Sequence, residues 1–484
     1  MDLSVSTPTP AFLNDILDEA RVFYGREVRL APDAPARLSH EESLSAGIRR
    51  VRAVLSFASG EEYTFEASGP EGTGALEDKR VHKRLIKTCV YRVFRQATGV
   101  QPPWGSLTGI RPTRLIWAAM AEGKTLEQAE KDLHDVFDVT EEKCRLTAET
   151  VRVQQSLPLQ GKNQIDLYVG IPFCVSRCAY CSFLSGELGK GELKAPYVDA
   201  LLQEIAAARE LIAARGLEIR AFYMGGGTPT SLDARSLDRV LTALDPLTAR
   251  CVEVTVEAGR PDTLDAERFD VLKAHRAARI SINPQTMHDE TLRRIGRRHT
   301  RSDTEKAYAL AREKGFSHIN MDLIAGLPGE TPEMFGETLR WSRDLRPESL
   351  TVHTLCIKHS SLFNLWQAQL PDGEMTARMV RAGREEAAQR GMRPYYLYRQ
   401  KYMAGNLENV GYALPGHEGL YNIGMMEENA DVLALGAGGI SKRVNTASGK
   451  IKRAPNVSDI REYIDRVEEM ARRKEDLFAP DPEF

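Results

Sequence analysis

Little in this chain points outward. Its 484 residues carry a formal charge of −3, so no basic field draws it onto a nucleic-acid backbone. No apolar run approaches the about 20 residues of a membrane-spanning helix. The Met1 end has Asp2 and polar residues where a secretory leader would have basic residues and then an apolar stretch, so no signal peptide is expected. Cysteine is scarce, at seven. That number in so long a chain does not read as a disulfide framework. It fits a reducing, cytoplasmic location, where clustered thiols favour metal binding or catalysis. Repeats and low-complexity tracts are absent. The length exceeds what one compact core usually spans, so one large domain with smaller additions is expected.

What is present changes rhythm along the chain. Residues 1–155 read as a small mixed α/β domain. Arg50 to Phe57 and Glu62 to Glu66 alternate about Ala58-Ser59-Gly60-Glu61, the pattern of a hairpin. Helical spacing runs over His82 to Thr98, Thr125 to Phe137 and Thr140 to Gln154, the last two opened by a threonine suited to capping. After a polar link, Leu157 to Asn163, apolar strands alternate with amphipathic helices over residues 163–392. Strands are predicted near Asp166–Ile171, Arg220–Met224, Val252–Glu257, Arg279–Ile282, Asn320–Ile324 and Leu350–Leu355. Helices fit at Tyr197–Ala214, Ser236–Leu244, Leu264–Ala274, Asp303–Lys314 and Pro332–Leu345, with another near Met375–Arg390. Six βα units in a row imply a parallel sheet, either doubly wound or an incomplete barrel. Periodicity does not separate the two. In both, reactive groups belong at the carboxyl ends of the strands. Over residues 393–484 the pattern turns irregular and aromatic, with Tyr395, Tyr396, Tyr398 and Tyr402, a Gly-rich turn Leu435-Gly436-Ala437-Gly438-Gly439, and a closing helix from Asn456 to Lys474.

The densest chemistry follows the first of these strands. Tyr168-Val169-Gly170-Ile171-Pro172-Phe173-Cys174 leads to Cys178 and Cys181 at spacings of four and three. Cysteines this close on an irregular loop can converge on one iron–sulfur cube. Three thiolates satisfy three irons and leave the fourth open to a chelate. The amino and carboxylate groups of S-adenosylmethionine suit that iron, and one electron then breaks the sulfonium C–S bond to give a 5′-deoxyadenosyl radical. A structural zinc wants four ligands, yet the nearest histidines in sequence are His134 and His275 and no fourth cysteine is close. A disulfide with a spare thiol conflicts with a reducing compartment. Cys89, Cys144 and Cys251 read as ordinary buried thiols.

The segment IPFCVSRCAYCSF strongly resembles radical S-adenosylmethionine (SAM) proteins related to oxygen-independent coproporphyrinogen III oxidase. The resemblance implies an α/β chain built on an incomplete (β/α)6 radical SAM barrel, with a small N-terminal α/β domain and an irregular C-terminal extension on the substrate side. It implies a [4Fe-4S] cluster on Cys174, Cys178 and Cys181, and S-adenosylmethionine as cofactor. Further matches recur at strand ends. In Gly225-Gly226-Gly227-Thr228-Pro229-Thr230, residues Gly226, Gly227 and Thr228 would meet the methionyl amino group, since glycine lets backbone approach a ligand closely. Glu257, in Val256-Glu257-Ala258-Gly259-Arg260-Pro261-Asp262, would hold the amino group or the ribose. Gln285, Arg297 and Asp322 stand in segments where the family contacts ribose hydroxyls and the cofactor carboxylate; an arginine fork can pair with both carboxylate oxygens. Arg293, Arg294, Arg298 and Arg301 read as a solvated helix face. Tyr168 and Tyr180 would line the adenine or methionyl side, and Cys356 falls where the family has another cofactor contact. No catalytic residue is assigned beyond the cluster.

The block Pro103-Trp104-Gly105-Ser106-Leu107-Thr108-Gly109-Ile110-Arg111-Pro112-Thr113-Arg114-Leu115 resembles the HemZ-type branch, the coproporphyrinogen dehydrogenases. So does the tail from Tyr395 through Gly411-Tyr412-Ala413-Leu414-Pro415-Gly416-His417-Glu418 to Ile440-Ser441. The reaction this implies is oxidative decarboxylation: two propionates of coproporphyrinogen III become vinyl groups, giving protoporphyrinogen IX. The implied electron donor is a flavodoxin or ferredoxin, with neither nucleic acid nor membrane as partner. The substrate carboxylates need cations, for which Arg399, Lys401, Lys442 and Arg443 are candidates; they read equally as solvated surface charges. The Trp104 block reads equally as a structural cap or a substrate element. One position departs from the oxidases. Two residues beyond Cys181, where they carry a fourth cysteine, stands Phe183, as in the haem-chaperone branch. A haem-binding chaperone, with His353 or His417 as axial ligand, and a radical methyltransferase that modifies haem therefore stay open.

Overall fold

The computed structural model describes residues 1–109, 111–181, 186–187, 191–357, 361–365, 372–400, 403–446, 448–482 and 484. Its compact units are 1–148 with 399–407, and 149–398 with 408–484.

In the first unit, β1 (Asp2–Ser6), β2 (Arg29–Leu30), β3 (Ala36–Ser45), β4 (Ile48–Phe57) and β5 (Glu62–Pro70) form one sheet in the order β2-β1-β3-β4-β5. The predicted hairpin is β4 with β5. Leu38, Val51 and Leu55 bury one sheet face against Ile16 of the helix Leu13–Tyr24 and Ile86, Val90 and Phe94 of the helix Ala75–Thr98. Each such side chain contributes about 1.5–3 kcal/mol when buried, so this face holds the unit together. The helix Leu126–Phe137 opens on Thr125 with a full capping box through Gln128, which satisfies two end donors at once. Trp104 is fully buried, with the Arg399 guanidinium 5.0 Å from its ring. Arg399 donates to Leu107 O at 2.6 Å and to Asn406 Oδ1 at 2.8 Å. It is a buried packing cation of this unit, which corrects both readings of it, as carboxylate anchor and as solvated charge.

The second unit carries β6 (Gln164–Ile171), a two-residue pair β7 (Phe173–Cys174) and β8 (Gly186–Glu187), then β9 (Glu218–Gly226), β10 (Glu253–Val256), β11 (Arg279–Ser281), β12 (His318–Ala325) and β13 (Ser349–Thr354). β6 and β9 to β13 lie side by side in chain order, all parallel. The six predicted strands are these. Helices Lys194–Arg215, Ala234–Thr248, Ala266–Ala274, Arg301–Glu313 and Pro332–Leu345 return the chain between them, and Gly373–Gln389 follows β13. Asp233, Asp265, Thr300, Thr331 and Asp372 cap five of these helices by accepting from first-turn N–H groups, which fixes where each begins. β6 buries Ile165, Leu167, Val169 and Ile171, as a parallel strand covered by helices must. This is the incomplete (β/α)6 barrel of the sequence reading.

Residues 393–484 are more regular than expected. β14 (Arg393–Tyr398) and β15 (Asn409–Ala413) extend the sheet antiparallel beyond β13. β16 (Val432–Leu435) adds parallel to β6, and β17 (Ile440–Asn445) and β18 (Lys450–Pro455) follow, making 11 strands. Each is too short for an alternating pattern to stand out, and the two pairings that join them to the barrel strands, β15 with β13 and β16 with β6, are distant in sequence. The closing helix is two, Ile460–Asp465 and Val467–Leu477. The segment between β15 and β16 fills the amino ends of the strands. Its helix, Leu420–Glu427, starts on Glu253, the first residue of β10, whose carboxylate accepts from Leu420 N. Tyr421 stacks inside on Tyr223 at 4.5 Å. Among the described residues no helix is long and apolar enough to cross a membrane.

Candidate functional site

With the amino ends filled, the carboxyl ends are where the predicted residues gather. β6 runs out at Ile171 into the cysteine loop. The glycine segment after β9 packs against that loop: Gly227 N donates to Ile171 O at 2.8 Å. A Cβ on residue 227 would stand 2.6 Å from Phe173 O, so only glycine permits this approach. Next to it, Thr228 Oγ1 lies 3.6 Å from Cys174 Sγ.

Cys178 is buried, Cys174 and Cys181 are half-buried, and none of the three is in a disulfide. The loop is held from the far side by the turn that follows the short helix Asp289–Arg294. Ala179 N donates to Ile295 O at 2.9 Å and Ser176 Oγ to Gly296 O at 3.0 Å. Among the described residues no three His, Cys, Asp or Glu side chains converge as a ready-made metal site. The thiols thus share one loop without a closed coordination shell among the described residues. Three thiols on one loop are still the donor set of an iron–sulfur cluster that keeps one iron open.

Glu257 directly follows β10. Tyr223 donates its hydroxyl hydrogen to Glu257 Oε1. Burial raises the Glu257 pKa from the ordinary 4.5 to about 7, the Tyr223 and Gly226 hydrogen bonds offset part of the rise, and the Asp322 charge adds to it. Asp322, inside on β12, goes the other way. Burial alone would raise it, but His353, whose Nε2 is 3.7 Å from Oδ2, and Asn320, whose Nδ2 donates at 2.8 Å, hold it below the usual carboxylate range. Two neighbouring carboxyls are thus driven apart, one ready to accept a cationic partner and one already ionised.

Gln285 has a left-handed backbone, φ 69°. That geometry lets its N–H donate to Asp322 O and its carbonyl accept from Ile324 N, each at 3.0 Å. Its Oε1 is buried and has no partner among the described residues. Arg297 donates through Nη2 to the Tyr180 hydroxyl at 3.0 Å and through Nη1 to Asn283 O at 3.2 Å, while its Nε is buried without a partner. Burial disfavours its charge, but Tyr180 and Cys178 more than compensate and hold it above the usual arginine range. A buried polar group left unpaired costs about 1–3 kcal/mol. The idle amide oxygen and the idle guanidinium N–H therefore fit a polar ligand such as S-adenosylmethionine, which offers hydroxyls and a carboxylate.

Other predicted residues divide. Tyr168 points into the barrel, stacked on Tyr223 at 6.4 Å and Tyr421 at 6.1 Å. Gly226, at φ 107°, ends β9 beside it. Cys356 follows β13 at the same end and is half-buried. Phe183, Lys401 and Tyr402 lie outside the described residues. Lys442 and Arg443 are corrections: both sit on β17, away from this face. Lys442 is buried and donates to Gly424 O at 3.4 Å, and Arg443 donates to Ala479 O at 3.0 Å. His353 belongs to the site, whereas His417 packs edge-on to His318, the first residue of β12, at the opposite end. Burial pushes the thiols of Cys89, Cys144 and Cys251 up to about 12, so these stay protonated and inert. The sequence reading missed Tyr223, whose signal was its place two residues before the glycine run, and Arg260, three residues past Glu257.

The Radical SAM superfamily matches residues 168–342. The oxygen-independent coproporphyrinogen-III oxidase-like protein HemZ of Bacillus subtilis (strain 168) is 37% identical over 440 residues, covering 86% of this chain and 87% of that protein. The heme chaperone HemW of Escherichia coli (strain K12) is 32% identical over 295 residues, covering 60% of this chain and 72% of its own. Among solved structures, coproporphyrinogen III oxidase (HemN) from Escherichia coli, a radical SAM enzyme, shares the fold with a TM-score of 0.52 at 24% identity, covering 66% of this chain and 72% of that one.

Proposed function

This chain belongs to the HemZ-like branch of the oxygen-independent coproporphyrinogen-III oxidase-like radical SAM family, and from that premise we propose that it decarboxylates coproporphyrinogen III oxidatively in the cytoplasm. The family takes a [4Fe-4S] cluster and S-adenosylmethionine as cofactors. When bound, they would supply a 5′-deoxyadenosyl radical able to take hydrogen from the β-carbon of a propionate. Loss of carbon dioxide, with one electron passing to a one-electron acceptor, would leave a vinyl group, and the same change at a second propionate would give protoporphyrinogen IX.

The chain's own residues hold and orient. Cys174, Cys178 and Cys181 hold the cluster. Gly226, Gly227 and Thr228 receive the methionyl amino group with Glu257, whose ionised carboxylate balances the ammonium. Arg297 offers its fork to the cofactor carboxylate, kept aligned by Tyr180. Gln285 and Asp322 meet the ribose hydroxyls, with His353 keeping Asp322 ionised. Tyr168 and Cys356 close the adenine side. A one-electron carrier, a flavodoxin or ferredoxin, would reduce the cluster.

The observation that carries this reading is the 37% identity with HemZ across nearly all of both chains, including the regions outside the barrel. The test is an anaerobic assay of reduced protein with coproporphyrinogen III, read by mass for the divinyl product and for 5′-deoxyadenosine. Cofactor cleavage without decarboxylated porphyrin would overturn it. A second reading, a haem chaperone, is favoured by the HemW relative and by Phe183. Spectral titration with haem decides it: a tight one-to-one complex supports the chaperone, and no binding removes it.

A further inference from the structure

The turn after β10 carries a second functional side chain three residues beyond Glu257. Arg260 is 3% exposed. A guanidinium has five N–H donors in a planar fork, and here all five are directed. Nε donates to Asp262 Oδ1 at 3.0 Å and Nη2 to Asp262 Oδ2 at 3.0 Å. Nη2 also donates to Ser176 Oγ at 2.9 Å, and Nη1 to Ser176 O at 3.0 Å. The remaining Nη1 direction meets Cys178 Sγ at 3.8 Å. Ser176 passes the constraint on, because its hydroxyl hydrogen goes to Gly296 O.

We propose that Arg260 is a positioning residue for the iron–sulfur cluster: it fixes the Ser176–Cys178 turn and sets the cluster's reduction potential through its charge beside the Cys178 sulfur. The inference rests on the family reading, since it needs a cluster on Cys178. It concerns no group of S-adenosylmethionine and no substrate contact.

The sign follows from charge. Reduction adds one electron to a cluster already held by thiolates. A cation next to one sulfur stabilises the reduced state more than the oxidised one, so it moves the potential upward; hydrogen bonds to cluster sulfurs act in the same direction. Asp262 opposes this. Its carboxylate grips the fork and cancels part of the positive charge, so Arg260 reaches Cys178 as the buried end of an ion pair whose Asp262 side chain is partly exposed. The two residues therefore act on the potential with opposite signs, although both act on the loop as structural supports.

That opposition gives the test. Wild-type protein, Arg260→Gln, Arg260→Lys and Asp262→Asn are reconstituted anaerobically. Cluster content is measured as iron and sulfide per chain, and the midpoint potential is read by redox titration followed by electron paramagnetic resonance. Arg260→Gln is expected to shift the potential more negative. Asp262→Asn is expected to shift it more positive. Arg260→Lys keeps the charge but not the fork, so it should hold less cluster while staying nearer the wild-type potential than Arg260→Gln. Shifts of the same sign in Arg260→Gln and Asp262→Asn, or none in either, overturn the proposal and leave Arg260 a structural residue only. Should Arg260→Gln assemble no cluster, Asp262→Asn decides alone, and an unshifted or more negative potential there overturns the proposal. A wild-type protein that binds no cluster would instead overturn the family reading, a separate result.

Discussion

Replacing Glu257 by glutamine isolates one carboxyl whose proton governs two measurable quantities. In the folded protein burial lifts its pKa from 4.5 to about 7. Between those two values the unfolded chain ionises at this position and the folded chain does not. The folded state then binds more protons, and stability falls as pH rises. The fall is about 1.4 kcal/mol per pH unit, or about 3 kcal/mol across the window, and it levels off above about pH 7. Glutamine carries no such proton. The difference in unfolding free energy between wild type and Glu257→Gln should therefore move by about 3 kcal/mol in favour of the variant as pH is raised from about 4.5 to about 7.5, measured by urea denaturation. Cofactor binding runs the other way. The ammonium group wants the ionised carboxylate, so affinity for S-adenosylmethionine should rise with pH up to about 7, by at most about tenfold per unit, and then flatten. Glu257→Gln should bind weakly at every pH with no such rise. Parallel pH profiles for the two proteins, in unfolding or in binding, would refute the placement of a proton on this residue.

Other consequences are separate from that proton. Cys174→Ala, Cys178→Ala and Cys181→Ala should each abolish the visible absorption of the reconstituted cluster, whereas Cys89→Ala and Cys251→Ala should keep it. Gly227→Ala puts a Cβ 2.6 Å from Phe173 O; overpacking of this kind costs about 1–3 kcal/mol, and S-adenosylmethionine binding by equilibrium dialysis should weaken by about tenfold or more. Lys474 Nζ lies 2.6 Å from Glu204 Oε1 with both side chains buried. Lys474→Met should therefore lower the unfolding free energy by about 3–5 kcal/mol, because it strands a buried carboxylate, and Glu204→Gln added to it should restore part of the loss in urea titration.

The barrel was legible because each βα unit declares itself locally. A parallel strand covered on both faces is an apolar run, and its helix starts at a capping Thr or Asp; Thr300 and Thr331 sit where capping chemistry puts them. The C-terminal strands make no such declaration. β15 is Asn409–Ala413, a stretch with two small residues, and it is a strand because β13 and β14 flank it. A Cβ at Gly411 would fall 2.0 Å from a ring atom of Tyr396, so the aromatic run that looked irregular is what demands the glycine opposite it. Pairing across such distances in sequence leaves no periodic trace. Lys442 and Arg399 were misread for a related reason. A basic residue looks solvated until a carbonyl from a remote segment is placed against it.

The site divides along the same physical line. Residues that would touch a cofactor sit at strand ends; the family resemblance pointed to Gly227, Glu257 and Gln285, and strand ends are where they stand. Residues that hold those residues in place have no such address. Tyr223 is one register position across from Tyr168, and only the sheet pairing reveals that its hydroxyl reaches Glu257. Arg260 lies in a turn whose glycine, proline and aspartate spell nothing more than a turn, yet that turn places the Glu257 carboxylate beside Tyr223 and the Arg260 guanidinium against the cysteine loop. A change at Arg260 would be felt at Glu257 through a three-residue link. The two variants therefore make a pair. If the turn is a single rigid element, Arg260→Gln should also weaken S-adenosylmethionine binding, and Glu257→Gln should leave the cluster potential where it was.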